Sequence, residues 1–233
     1  MGILAVLLDM GGVLVPDISG YEGVARDHTL LQILREHGIS DPAHMAIECG
    51  EQLRDAYRAL DKECSQPNLD AVFADVDASL RSHLVEAFKR EATPSPFPIA
   101  RDVVAELSPH YKLGLISNTV IPGDHHARNL ERAGILEHLD SAVWSGNFGR
   151  RKPDPAMILF VLGELDVAAE DAIFVGDKIR TDVLAARRAG VRAIWLRRPG
   201  SQHTGEAEPD FIIEDLRQLP GLLRDQAAKQ RPE

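Results

Sequence analysis

Cysteine is almost absent from this chain: among 233 residues only Cys49 and Cys64 carry a thiol. No paired-cysteine spacing suggests zinc, and two isolated thiols in a chain this long point to a reducing compartment. They read as small buried hydrophobes on a helix and its following loop. Positive charge is scarce as well. Lys and Arg number 26 against 36 Asp and Glu, a formal charge of −10, which argues against a nucleic-acid surface because phosphate backbones call for clustered basic residues. The local exception, Arg150-Arg151-Lys152, is too short to make one. Long apolar runs are also missing. The first, residues 3–8, is too short for a signal peptide's apolar region, and no later stretch reaches 18 apolar residues without charge. A cytoplasmic protein with no membrane partner is expected.

What is present suffices for a packed core, at 44% hydrophobic residues. The length fits one large domain or one domain carrying an insertion. Short apolar runs rich in branched residues recur at 3–8, 113–116, 142–144, 172–175, 193–196 and 211–213. Being continuous rather than alternating, they predict strands buried on both faces of a parallel sheet. Helical stretches lie between the later runs. Asp154-Pro155 opens one, followed by Met157, Ile158, Val161, Leu162 and Leu165 at helical spacing, and another runs from about Thr181 to Ala189 and stops at Gly190. The alternation predicts a doubly wound α/β domain.

One interval breaks it. Between Pro16 and Pro98 apolar positions recur every three or four residues: Leu30, Ile33 and Leu34; Cys49, Leu53, Ala56, Tyr57 and Leu60; then Val72, Val76, Leu80, Leu84 and Phe88. Prolines 94, 96 and 98 make a stiff connector back. The reading is an α/β core of residues 1–15 and 99–233, interrupted by an all-helical insertion, 16–98, able to act as a moving lid.

Ligands of open α/β sheets bind beyond the carboxyl ends of the strands, so the residues following each predicted strand carry the chemistry. They are Asp9-Met10-Gly11-Gly12, Ser117-Asn118-Thr119, Gly149-Arg150-Arg151-Lys152-Pro153, and Gly176-Asp177 with Asp182 five residues on. Together they offer a carboxylate nucleophile, a hydroxyl and an amide for phosphoryl oxygens, a cation, and further carboxylates for a hard divalent metal. In this order and spacing the chain resembles the haloacid dehalogenase superfamily, in the branch with a helical cap after the first motif, and the resemblance spans residue 3 to about 213.

That resemblance implies a Mg2+-dependent phosphatase acting on a small phosphorylated metabolite. Asp9 would become the aspartyl-phosphate, Ser117 and Asn118 would bind the phosphoryl group and hold its loop, and Lys152 would neutralise charge. Asp9, the carbonyl of Gly11, Asp177 and Asp182 would form or support the metal site. The chain departs from the family at position 11, where phosphatases usually carry the acid–base aspartate. Such a group contributes roughly 10²–10⁴-fold, so Gly11 predicts slow turnover of poor leaving groups unless Asp17 or a cap residue supplies the proton. Asp17 itself reads as a hinge or cap. His125 and His126, adjacent and on different faces of a helix, read as an exposed helix start rather than a metal pair. Alternatives left open are a dehalogenase, a phosphonate hydrolase using Lys62 or Lys89, and a phosphate-binding module without turnover.

Overall fold

A computed structural model describes residues 2–17 and 22–229. Six strands form one parallel sheet: β1 (Ala5–Leu8), β2 (Lys112–Ser117), β3 (Ser141–Trp144), β4 (Ala172–Gly176), β5 (Arg192–Leu196) and β6 (Phe211–Ile213), in the order β3-β2-β1-β4-β5-β6. Every predicted apolar run is a strand. The alternation of side chains along each strand divides the core in two. In β1, Val6 and Leu8 pack with Leu113, Leu115, Ile173 and Val175 on one face, while Ala5 and Leu7 pack with Ile116 and Phe174 on the other. Both faces are covered, which is why these segments carry no polar side. The last strand differs: β6 lies at the sheet edge and leaves Ile212 exposed.

The helices follow the chain as α1 (His28–Glu36), α2 (Pro42–Ala59), α3 (Leu69–Val72), α4 (Ala78–Glu91), α5 (Pro98–Leu107), α6 (Gly123–Arg132), α7 (Ser145–Phe148), α8 (Ala156–Leu165), α9 (Leu184–Arg188) and α10 (Leu219–Lys229). Helix α5 and α10 cover one face of the sheet, α8 and α9 the other. The helix at Asp154-Pro155 begins at Ala156, whose N–H donates to the Asp154 carboxylate at 2.7 Å. The polar end from residue 230, expected to fray, lies outside the described residues.

Helices α1 to α4 occupy the interval that lacks strands. Each starts on a short polar side chain that accepts a free backbone N–H of its first turn: Asp27 from Leu30, Asp41 from His44, Asn68 from Ala71 and Asp77 from Ser79. Their apolar stripes, including Leu30, Leu34, Leu53, Leu84 and Phe88, meet in a cluster of their own. Cys49 is buried there as expected, and burial pushes its thiol up to about 11. Cys64 departs from expectation: it is half-buried on left-handed backbone, φ 51°, at a loop that touches the core. The cluster also takes in Val120 and Ile121 from the loop after β2, so the helical segment is rooted on the α/β part.

Phe73 is fully buried in this cluster, its ring centroid 5.3 Å from that of Phe88. Phe73→Ala should lower the unfolding free energy by about 3–5 kcal/mol in urea titration; a change under about 1 kcal/mol would mean that the segment collapses around the vacancy.

Candidate active site

The chain runs outward from β1 to β2 and β3, then crosses back to β4 on the other side of β1. Strand order therefore reverses between β1 and β4, and a crevice opens above their carboxyl ends. Asp9 leaves β1 there, still held by the ladder through its N–H to Val175 O at 2.9 Å. Asp177 leaves β4 beside it, its carbonyl accepting the Trp195 indole N–H at 2.9 Å. Beyond Asp177, a single π-helical turn (Ile179–Val183) brings Asp182 back over the strand end, where its carboxylate accepts the Lys178 N–H at 2.9 Å.

Two glycines make the approach possible. A Cβ on Gly12 would lie 2.1 Å from Asp177 Oδ2, and one on Gly176 would lie 2.2 Å from Asp182 Cβ. Any side chain at either place would displace a carboxylate.

Lys152 enters from the loop after α7 and is only 1% exposed. Its ammonium donates to Asp9 Oδ1 at 2.6 Å and to Ile116 O at 3.0 Å, and stands 2.8 Å from Asp182 Oδ1. Asn118 sets its height: the side-chain amide donates to Lys152 O at 2.9 Å while its oxygen accepts Lys152 N–H at 2.8 Å. Ser117, buried at the end of β2, lines a cavity of about 60 Å³ with Asn118, Gly11, Asp17 and His126.

Charge does not balance here. The carboxylates of Asp9, Asp177 and Asp182 lie within 4.8 Å of one another, and fully ionised they would outnumber the buried Lys152 ammonium by two. Burial pushes the Asp9 carboxyl up to about 6 although Lys152 pulls the other way. Burial, then the charges of Asp9 and Asp182, push Asp177 up to about 8. Burial opposes the Lys152 ammonium, but the Asp182 and Asp9 carboxylates outweigh it and hold Lys152 above its ordinary range. Asp177 Oδ1 is buried without a hydrogen-bond partner. An unpartnered oxygen in an all-oxygen, over-negative cluster fits a hard divalent cation.

Three adjacent basic residues have three fates. Arg150 pairs with Asp154 at the surface, and Lys152 enters the site. Arg151, nearly buried, turns the opposite way to donate to Tyr57 O at 3.0 Å, Ser65 O at 3.1 Å and Asp61 Oδ1 at 3.0 Å. Beside it, an isolated antiparallel bridge joins Ser65 to Arg150, and the Ser145 hydroxyl donates to Gln66 at 2.7 Å. The helical segment is thus strapped to the loop that carries Lys152.

A model of the haloacid dehalogenase-like hydrolases matches residues 26–196. The chain belongs to this family. The phosphoglycolate phosphatase of Pseudomonas fluorescens is 30% identical over 237 aligned positions, 96% of this chain and 81% of that protein. The phosphoserine phosphatase of Thermus thermophilus is 38% identical over 138 residues, covering 58% of this chain and about half, 55%, of that protein. Among solved structures, a HAD phosphatase from Thermococcus onnurineus superposes with a TM-score of 0.69 at 23% identity, over 97% of this chain and 100% of that one. A 2-haloacid dehalogenase from Pseudomonas syringae gives 0.65 at 25%, over 96% and 99%. This haloacid dehalogenase-like hydrolase has the fold expected of its sequence, an α/β core with inserted helices.

The structure brings Asp9, Ser117, Asn118, Lys152, Asp177 and Asp182 together at one end of the sheet, with Gly11 beside them. It corrects the reading of His126, which is 2% exposed rather than at an open helix start. Its Nε2 lies 2.8 Å from Thr119 Oγ1, its ring stacks at 6.5 Å on Trp144, and burial, with the neighbouring His125, pulls it down to about 4. No local pattern marks Arg151, Gln66 or Arg198, whose guanidinium donates to Gly12 O at 2.7 Å, because their partners are far away in sequence. Among the described residues no helix is long and apolar enough to cross a membrane.

Asp9 and Asp177 keep their protons to higher pH in the folded chain than in the unfolded one, where such groups titrate near 3.8. The stability each contributes is complete below that value and is lost as pH rises, through about 6 for Asp9 and about 8 for Asp177. In chelator, Asp177→Asn should melt with wild type near pH 4 and progressively above it up to about pH 8. Parallel melting curves at every pH would show that Asp177 is not strained by its neighbours.

Proposed function

We propose that this hydrolase is a Mg2+-dependent phosphatase of small phosphorylated metabolites that works through an aspartyl-phosphate on Asp9. The observation that carries the reading is the buried Lys152 ammonium bridging Asp9 and Asp182, next to an Asp177 oxygen that has no partner. Relatives named phosphoserine, phosphoglycolate and glyceraldehyde 3-phosphate phosphatase support it.

Lys152 holds Asp9 Oδ1, which leaves Oδ2 as the attacking oxygen. Ser117 offers its hydroxyl to the phosphoryl group from the floor of the cavity. Asn118 acts chiefly by positioning, since both atoms of its amide engage the Lys152 backbone. Magnesium, held by Asp9, Asp177 and the Gly11 carbonyl, would supply the positive charge that three carboxylates and a phosphate dianion require. Asp182 serves this set indirectly, because its oxygens are engaged by Lys152 and by the Lys178 amide. Residues 16–98 act as a cap on a core of 1–15 and 99–233, and the Arg151 strap is the contact that opening would break. Neither Lys62 nor Lys89 lines the cavity, so nothing favours Schiff-base chemistry.

Release of phosphate from a panel of phosphorylated metabolites should require added Mg2+ and stop with chelator. Asp9→Asn should cut turnover by at least about 10³-fold while circular dichroism stays unchanged. Metal-independent turnover, or chloride release from a 2-halocarboxylic acid in place of phosphate release, would replace this reading with the dehalogenase one.

A further inference from the structure

The site lacks a proton donor where a phosphatase of this family usually carries one, and the structure shows what occupies that space. A Cβ built on Gly11 would have one heavy atom within 4 Å among the described residues, apart from its own chain neighbours. That atom is Asp17 Oδ1, at 3.7 Å. The missing carboxylate of position 11 is matched by a carboxylate that arrives from six residues further on. We infer that Asp17 is the acid and base of this site.

The backbone explains how Asp17 gets there. Gly11 bridges Val15, and Gly12 N–H donates to Val15 O at 2.7 Å, so the chain folds back beside the nucleophile loop before leaving for the helices. Pro16 follows directly and fixes its own backbone torsion, which narrows where Asp17 can point. Lys178 Nζ lies 2.8 Å from Asp17 Oδ2, and Oδ1 is the oxygen turned toward Gly11. Asp17 lines the same small cavity as Gly11, Ser117 and Asn118, and 35% of its side chain is exposed to solvent.

This assignment rests on the phosphatase reading. Asp9 forms a bond to phosphorus, the bond to the leaving oxygen breaks with its electron pair, and the proton of the Asp17 carboxyl moves to that oxygen, releasing an alcohol. Water then loses a proton to the Asp17 carboxylate and bonds to phosphorus. The bond from phosphorus to Asp9 breaks, the pair returns to the Asp9 carboxylate, and phosphate leaves with Asp17 protonated again.

The test compares an alkyl phosphate with p-nitrophenyl phosphate, whose phenolate leaves without a proton. In Asp17→Asn, kcat/KM for the alkyl ester should fall on the order of 10²–10⁴-fold, while kcat/KM for the aryl ester changes little. The kcat should fall for both, and acid-quenched protein should hold acid-labile phosphate, because the second step has lost its base. Gly11→Asp placed on top of Asp17→Asn should restore much of the alkyl rate, since among the described residues a Cβ at 11 meets nothing closer than ordinary contact. Equal losses of kcat/KM for both esters would make Asp17 a structural residue, and no loss for either would remove it from the reaction; both overturn the assignment. A wild type that hydrolyses neither ester overturns the phosphatase reading and the assignment with it.

Discussion

Everything at this site depends on one buried ammonium. Lys152 is enclosed on all sides, and it stays charged only because Asp9 and Asp182 lie within hydrogen-bond reach. The dependence is mutual, since a buried carboxylate without a partner is costly. A lysine so placed also chooses between the two oxygens of Asp9, holding one and leaving the other free. The contact spans 143 residues of sequence, which makes it a product of the closed fold rather than of any local segment.

The sheet supplies the means. Parallel strands deliver every strand end to the same edge, and the reversal between β1 and β4 leaves room above them. Glycines 12 and 176 then allow the acidic side chains to come closer than any other residue would permit. The result is a cluster with more negative charge than its surroundings can neutralise, and the unpartnered oxygen of Asp177 is the mark left by that imbalance. An all-oxygen cluster with this surplus fits a hard divalent cation.

The helical segment is coupled to that chemistry by covalent neighbours. Arg151 and Lys152 are adjacent, yet one is anchored in the segment from Tyr57 to Ser65 and the other on Asp9. A displacement of the helices would pull on the peptide that carries the ammonium. Asp17, where the chain leaves β1 for the helices, pairs with Lys178 beside Asp177 and provides a second link. Both connections join the segment to neighbours of the buried carboxylate cluster.

The six strands, the strandless interval and the residues following each strand are legible in the amino-acid order, because burial on both faces, helical spacing and strand ends leave local patterns. Asp9, Asp177 and the glycine at position 11 are legible for the same reason: each lies just beyond a strand. Contacts between distant segments are not. That His126 is buried on Trp144, and that Arg151 faces the helices while Lys152 faces Asp9, follow from long-range packing. No neighbour in sequence records these facts. The order of residues determined which groups reach this end of the sheet; only the tertiary structure decided which of them touch, because proximity across a closed fold is set by all the elements at once.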